Sequence, residues 1–222
     1  MSLHLEHLNP EQLAAVTLPE GHALILAGAG SGKTRVLTTR IAWLLKAGSV
    51  SPAGVLAVTF TNKAARVMLT RLSAMLALNP RGMWIGTFHG LANRLLRTHH
   101  QEAGLPRSFQ ILDSQDQLAA VKRLLRSMTV DEDRFPPRDV QYFIMGRKEE
   151  GLRAREVPAT DDVTRRYIEL YAEYDAQCQR EGVVDFAELL LRCHELLSGN
   201  EALRARINDV ARQRLGVAPA AL

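Results

Sequence analysis

The 222-residue sequence contains only two cysteines and has no run of about eighteen or more apolar residues. Cys178 and Cys193 lack metal-ligand spacing, so we expect free thiols, buried or half-buried, in a reducing cytoplasm. Without a long apolar run, no membrane span is expected. The N-terminus has no basic segment followed by an apolar one, so no secretory signal is expected. These absences favour a cytoplasmic protein.

Acidic residues are scarce in the first part of the chain. Residues 1–87 contain eight Lys or Arg and only three acidic residues, whereas residues 88–222 contain twenty basic and twenty-one acidic residues. A basic segment suits a polyanionic partner, although such an imbalance is a weak signal by itself. Hydrophobic residues make up 46% of the chain, which is enough for a packed core.

A glycine-rich stretch at residues 27–34 reads AGAGSGKT. It follows an apolar run at residues 23–26 and opens a helical pattern, the order of elements in a phosphate-binding loop. Glycines let backbone N–H groups turn towards an anion, and a helix N-terminus adds partial positive charge. Lys33 would reach the β- and γ-phosphates, and the Thr34 hydroxyl would hold Mg²⁺. Ala27 stands where the motif usually has glycine, and the alternative interpretation is a turn without function.

Strand and helix patterns alternate three times between residues 23 and 104. We predict strands at residues 23–26, 55–60 and 83–87, and helix N-caps at Asn9 and Asn62. This alternation implies a parallel sheet, in which ligands bind beyond the carboxyl ends of the strands. From about residue 114 the pattern is helical, beginning with a capping box at Ser114.

Aromatic and basic residues are open to two interpretations each. Phe60 and Phe88 lie at the ends of predicted strands, either as core residues or as a stacking surface for unpaired bases. Lys63 and His89 are close enough in sequence to contact phosphates there. The tyrosines at positions 167, 171 and 174 follow the helix period and are interpreted as core. The basic pairs at positions 147–148 and 165–166 are interpreted as solvated faces.

One acidic motif is missing. Phosphate-loop ATPases need an apolar strand that ends in Asp, which holds Mg²⁺ and activates water. The first aspartate of this chain is Asp113, so the predicted strands cannot supply it. Asp113 leads into a helix start and is interpreted as a structural cap. Asp131 follows a run too short and polar for a buried strand.

Six stretches together resemble superfamily 1 DNA helicases of the UvrD/Rep/PcrA type. They are LNPEQ at residues 8–12, LAGAGSGKTR at 26–35, VTFTNKAA at 58–65, GTFHGL at 86–91, FQILD at 109–113 and VDFAELL at 184–190. The resemblance implies an α/β fold with a P-loop NTPase, RecA-like parallel sheet. Residues 1–87 would form part of domain 1A, and residues 88–208 an all-helical inserted subdomain, 1B. Residues 209–222 form a tail that does not resemble the family.

The resemblance also implies ATP and Mg²⁺ as cofactors and 3′-to-5′ helicase activity. Single-stranded DNA, single-strand/double-strand junctions and DNA-repair proteins are the implied partners of the parent enzyme. Gln12 would contact adenine, Arg35 would pack near the base, and Lys33 and Thr34 are the expected catalytic residues. The expected nucleotide site is Gln12, Ala27, Gly28, Ala29, Gly30, Ser31, Gly32, Lys33, Thr34 and Arg35. The expected DNA-binding set, from the resemblance and the loop positions together, is Thr59, Phe60, Asn62, Lys63, Thr87, Phe88 and His89.

The C-terminal sequence departs from the family, where a strand ending in Asp-Glu is expected. We therefore expect a truncated or frame-shifted chain that lacks the general base, the arginine fingers and the second RecA-like domain. Two functions remain open: the N-terminal fragment of a helicase, or a non-catalytic module that binds nucleotide and single-stranded DNA. A small P-loop kinase is disfavoured, because it would have no reason to carry the stretches at residues 59–65 and 86–90.

Overall fold

A computed structural model of the chain describes residues 5–19, 21, 23–28, 30–76 and 82–212. Across these residues, no helix combines the length and apolar character needed to cross a membrane. The helices are α1 (Pro10–Thr17), α2 (Lys33–Lys46), α3 (Asn62–Met75), α4 (Phe88–Thr98), α5 (Ser114–Ser127), α6 (Pro137–Glu149), α7 (Asp162–Glu181), α8 (Phe186–Gly199) and α9 (Glu201–Arg212). The strands are β1 (Leu56–Thr59), β2 (Trp84–Thr87), β3 (Gln110–Ile111) and β4 (Val183–Val184).

The chain divides into two compact units. The first contains the described residues up to Leu91 and those from Ala202 onward, and the second spans residues 92–201. The first unit holds the parallel pair β1–β2, and the second holds the parallel pair β3–β4 among helices. The part of the chain that the structure describes is therefore mixed α/β and mostly helical, with small parallel sheets.

Strands β1 and β2 confirm the central residues of two predicted strands. Leu56 lies opposite Trp84, and Thr59 lies opposite Thr87. Because both strands run in the same direction, the loops that follow them begin side by side at one edge. The core of this unit comprises Ile41, Ala42, Val55, Ala57, Met68, Leu72, Leu76 and Met83, which join α2 and α3 to the sheet.

The predicted strand at residues 23–26 is wrong. Among the described residues this segment belongs to neither sheet, and Leu24 and Leu26 are each 86% exposed. A strand needs a neighbour that takes up its N–H and C=O groups. Here β1 and β2 pair with each other and not with this segment. An apolar run shows that a segment is hydrophobic, but it does not show that another strand is available to pair with it.

Two predicted N-caps are wrong by one residue. Thr61, not Asn62, caps α3, and its hydroxyl accepts the N–H of Ala64 at 3.1 Å. Asp113, not Ser114, caps α5, and its carboxylate accepts two backbone N–H groups at 2.8 Å each. In both cases the capping side chain belongs to the last extended residue before the helix. The interpretation of Asp113 as a structural cap is confirmed.

The second unit has a core built around its long helix α7. Tyr171 and Tyr174 are fully buried there, which confirms the interpretation of these tyrosines as core. The hydroxyl of Tyr171 donates to the carbonyl oxygen of Leu152 at 2.9 Å, so burial leaves it a hydrogen-bond partner. Cys178 and Cys193 are both free thiols, the first buried and the second half-buried, as predicted.

A buried charge cluster joins three helices of the second unit, and its centre is Lys148. The interpretation of this lysine as solvated is wrong, since its side chain is only 1% exposed. Its Nζ lies 2.8 Å from Asp175, 2.9 Å from Asp185 and 2.8 Å from Glu188. The hydroxyl of Tyr174 also donates to Asp185, at 3.1 Å. Each carboxylate comes from α7 or from the start of α8, so the lysine of α6 fixes all three helices together.

Electrostatics favour the ionised forms of Lys148 and Glu188 despite their burial. Burial lowers the pKa of Lys148, but the carboxylates of Asp185, Glu188 and Asp175 raise it well above its usual range. Burial raises the pKa of Glu188, but Lys148, Arg153 and Arg192 lower it to about 2. Removing one partner would therefore leave a buried charge without compensation.

We predict that Lys148→Met destabilises the second unit by about 3–5 kcal/mol, because Asp185 would stay buried without its counter-ion, whereas Glu188 keeps Arg153 and Arg192. Urea denaturation followed by far-UV circular dichroism would measure the loss. Lys122→Met makes the same change on the exposed face of α5 and should stay within about 0.5 kcal/mol of the parent chain. Equal stabilities for the two variants would contradict a structural role for the cluster.

Candidate nucleotide and nucleic-acid site

The glycine-rich loop leads directly into α2, as its sequence predicts. Gly30 and Gly32 have φ values of 76° and 85°, a left-handed conformation that side chains other than glycine rarely adopt. Gly32 is the N-cap of α2 and provides no capping side chain, and the first turn contains no acidic residue. The first N–H groups of α2 are thus available to an anion, where the helix dipole also favours negative charge. Ala29 lies outside the described residues.

Lys33 folds back over this loop. Its Nζ donates to the carbonyl oxygens of Ala27 at 2.8 Å and Gly28 at 2.6 Å. The Ser31 hydroxyl donates to the same Gly28 oxygen at 2.8 Å. These contacts hold the ammonium group at the loop, where a phosphate oxygen would be a stronger, charged acceptor.

Thr34 and Arg35 also lie in the first turn of α2, and both are exposed. Thr34 directly follows Lys33, where the phosphate-loop motif has a hydroxyl that can hold a metal ion, and Arg35 comes next in the same turn. The structure therefore brings these predicted residues together with the loop.

Gln12 reaches the glycine-rich loop from α1. Asn9 caps α1, as predicted, and forms a reciprocal capping box with Gln12: Asn9 Oδ1 accepts the Gln12 N–H at 2.8 Å, and Gln12 Oε1 accepts the Asn9 N–H at 3.2 Å. The Gln12 side-chain nitrogen donates to the Ser31 carbonyl oxygen at 3.1 Å. The capping box and the loop contact together fix which end of the Gln12 amide is donor and which is acceptor.

An aromatic pair lies at the ends of β1 and β2. Phe60 is 92% exposed and Phe88, the first residue of α4, is 52% exposed, so neither is a core residue. Their ring centroids lie 6.0 Å apart with an interplanar angle of 55°. The Thr87 hydroxyl, at the end of β2, lies 3.5 Å from Oδ1 of Asn62, the first residue of α3, at the limit of a hydrogen bond. An exposed aromatic pair of this kind presents two π faces to solvent.

The remaining predicted nucleic-acid residues surround this pair. Lys63 is exposed in the first turn of α3, which contains no acidic residue. His89 is half-buried in the first turn of α4. The Thr59 hydroxyl donates to the Thr61 carbonyl oxygen at 3.1 Å, which tightens the turn after β1. All of these residues belong to the first unit.

Comparison with known proteins identifies the family. Residues 8–213 match the UvrD/REP helicase N-terminal domain. The chain belongs to this family. It is 51% identical to DNA helicase II of Escherichia coli K12 over 197 residues, 88% of this chain and 27% of the relative. DNA helicase II of Haemophilus influenzae is also 51% identical, over 86% of this chain and 27% of the relative. ATP-dependent DNA helicase PcrA of Staphylococcus aureus Mu50 is 40% identical, over 86% of this chain and 26% of the relative.

The chain spans about a quarter of the length of these curated relatives, as the 26–27% coverage shows. The match also covers the helical second unit, so it does not depend on the glycine-rich loop alone.

Sequence reasoning missed Arg40, which lies between buried residues of α2. Its guanidinium donates to the carbonyl oxygens of Val16, Leu18 and Pro19 at 3.0, 2.8 and 3.3 Å. No signal in the sequence marked it: Thr39 and Ile41 beside it are buried, but adjacent residues of a helix do not face the same way.

We predict that Gly32→Ala destabilises the first unit by about 1–2 kcal/mol, because alanine is strained in a left-handed conformation. Its Cβ would also lie 3.0 Å from the Gln12 side-chain nitrogen. Trp43 and Trp84 both lie in this unit, so tryptophan fluorescence during urea denaturation reports on it. Gly82→Ala meets no atom within 4 Å and has no left-handed φ, so it should change stability by less than about 0.5 kcal/mol. A stable Gly32→Ala variant would show that the left-handed turn is not required.

Proposed function

We propose that this chain is the ATP- and single-stranded-DNA-binding part of an ATP-dependent DNA helicase that moves 3′ to 5′. The observation that carries the proposal is the glycine-rich loop at the start of α2, in the same unit as two strand ends that are each followed by an exposed aromatic ring. The names of the relatives, DNA helicase II and ATP-dependent DNA helicase PcrA, support it.

The proposed domain organisation follows the family. Residues 1–87 would be part of a RecA-like, P-loop domain (1A), residues 88–208 a helical subdomain (1B), and residues 209–222 a tail outside both. The first unit is mixed α/β, and the second, at residues 92–201, is helical apart from the two-residue strands β3 and β4, so it is not all-helical as expected. The largely helical second unit supports the proposed division.

The proposed nucleotide site combines the loop with Gln12. The phosphates of ATP would lie against the N–H groups of residues 27–34 and the Lys33 ammonium, which would exchange its loop carbonyls for phosphate oxygens. Thr34 would give its hydroxyl to Mg²⁺, with phosphate oxygens and water as the other ligands. A bound Mg²⁺ would neutralise phosphate charge and orient the γ-phosphate. Arg35 would pack beside the base.

The Gln12 amide suits recognition of adenine. A glutamine amide has two donors and two acceptor lone pairs. The contacts with Ser31 and Asn9 use one donor and one lone pair. One donor and one lone pair on the same planar group are then left for a base. Adenine offers the complementary pair along its purine edge.

The proposed DNA path crosses the ends of β1 and β2. Phe60 and Phe88 would stack on unpaired bases, which needs no particular sequence because every base has a π face. Lys63 and His89 would contact phosphates, and Thr59, Asn62 and Thr87 would position the backbone of the strand. Single-strand/double-strand junctions and DNA-repair proteins would be partners of the whole enzyme, in the cytoplasm.

A second function, binding without turnover, is favoured by one observation. The sequence has no aspartate before Asp113, and Asp113 caps α5. The strand ends of the first unit, at Thr59 and Thr87, therefore carry no carboxylate that could hold Mg²⁺ or activate water. The chain alone would then act as a nucleotide- and single-strand-binding module.

We expect the purified chain to bind ATP but to hydrolyse it very slowly, even with single-stranded DNA. Equilibrium dialysis would measure binding, and phosphate release would measure hydrolysis. Lys33→Ala should abolish measurable binding, because it removes the charged partner of the phosphates. Hydrolysis that single-stranded DNA stimulates and that Lys33→Ala abolishes would contradict the binding-only function. Unchanged ATP affinity in Lys33→Ala would contradict the nucleotide site itself.

We predict that Phe60→Ala weakens binding to a single-stranded oligonucleotide by about 1–3 kcal/mol, because one stacking face is lost. Fluorescence anisotropy of a labelled oligonucleotide would measure the affinity. Tyr142→Ala removes another exposed aromatic ring, on α6 of the second unit, that the proposal does not use. Its affinity should equal that of the parent chain, and equal losses in both variants would refute the assigned DNA path.

A further inference from the structure

Arg40 binds the C-terminal end of α1, whereas Gln12 lies near the N-terminal end of that helix. Its Nη1 donates to the carbonyl oxygens of Val16 at 3.0 Å and Leu18 at 2.8 Å, and its Nη2 donates to that of Pro19 at 3.3 Å. The last carbonyl groups of a helix have no partner within the helix. A guanidinium satisfies several of them through charge-assisted bonds and also opposes the negative end of the helix dipole.

The position of Arg40 links this contact to the phosphate loop. Arg40 lies seven residues after Lys33 in α2, so about 10 Å of rigid helix separates the two residues. At the N-terminal end of α1, Gln12 is held by its bond to the carbonyl oxygen of Ser31, in the loop that precedes α2. The eight-residue helix α1 is thus fastened at both ends to the element that carries the loop.

Apolar packing alone holds α1 weakly in orientation. Val16 is the one residue of α1 that is fully buried, whereas Leu13 is 37% exposed. With one fully buried side chain, apolar packing restrains rotation of this short helix only weakly, and directional bonds add to that restraint. The three bonds of Arg40 are directional and attach to backbone atoms, so they restrict the rotation that would move Gln12 away from the loop.

We propose that Arg40 is a positioning residue for base recognition: it holds α1 so that the Gln12 amide faces the phosphate loop and favours adenine. This inference rests on the proposed ATP-binding function. It assigns to Arg40 no contact with the nucleotide, and the phosphate contacts of the loop do not depend on it.

The test compares ligands with and without the base. We would measure the affinity of the 222-residue chain for ATP, GTP and inorganic tripolyphosphate by isothermal titration calorimetry. Arg40→Gln should weaken ATP binding about tenfold, the effect of losing an oriented polar contact, while tripolyphosphate affinity stays within about twofold. The preference for ATP over GTP should fall by the same factor. Arg40→Lys keeps the positive charge but lacks the planar guanidinium with its several donors, and should retain part of the preference that Arg40→Gln loses.

Two controls separate positioning from loss of folding. Arg71→Gln makes the same change at an exposed site on α3 and should leave all three affinities unchanged. Far-UV circular dichroism would establish that each variant is folded. An equal loss for ATP and tripolyphosphate would show a general defect of the loop and would overturn the positioning role.

A double variant tests the route through Gln12. If Arg40 acts through Gln12, then Arg40→Gln added to Gln12→Ala should cause no further loss of ATP affinity. Additive losses would overturn the inference. If the parent chain itself binds ATP no better than tripolyphosphate, the proposed adenine contact fails and the role of Arg40 fails with it. If the parent chain prefers ATP and Arg40→Gln keeps that preference, only the role of Arg40 fails.

Discussion

The first turn of α2 is the constraint on which the arrangement of the first unit depends. The left-handed turn at Gly32, with φ of 85°, lets the loop enter the helix without a capping side chain. The initial N–H groups are then left for an external acceptor. The same helix carries Arg40, which holds α1 and with it Gln12. The glycine-rich loop and the Gln12 amide beside it are therefore both held by α2, and an anion bound to the loop would lie beside that amide.

Parallel pairing supplies the second feature of this unit. Thr59 and Thr87 are opposite each other at the ends of β1 and β2, so the following residues, Phe60 and Phe88, must emerge at one edge. Burying a phenylalanine side chain is favourable by about 1.5–3 kcal/mol, so each exposed ring forgoes free energy of this size. Their exposure in a unit that buries Met68 and Leu72 completely is the reason to assign them a ligand rather than a structural role.

Local features were the ones that the sequence allowed us to predict. The cap at Asn9, the loop into α2 and the buried tyrosines all depend on residues within a few positions of one another, and the structure confirms them. The strand at residues 23–26 failed because hydrophobicity records a tendency to be buried, whereas strand formation also requires a neighbouring strand with free backbone groups. The cap of α3 was misplaced by one residue, at Asn62 instead of Thr61, and for α5 the sequence offered both Asp113 and Ser114, since several adjacent side chains there are able to cap.

Long-range polar contacts could not be predicted in this way. Lys148 and Asp185 are 37 residues apart, and Arg40 lies 24 residues from Val16. In sequence each basic residue looks like part of an ordinary solvated helix face. What distinguishes them is that several acceptors converge on each cation, which is fully buried for Lys148 and half-buried for Arg40, and this convergence arises from the packing of elements distant in sequence. The two residues nevertheless differ in consequence. Lys148 is surrounded by carboxylates that would be destabilised without it, whereas Arg40 bonds only backbone carbonyls. Loss of Arg40 would therefore release the orientation of α1 more readily than it would unfold the unit.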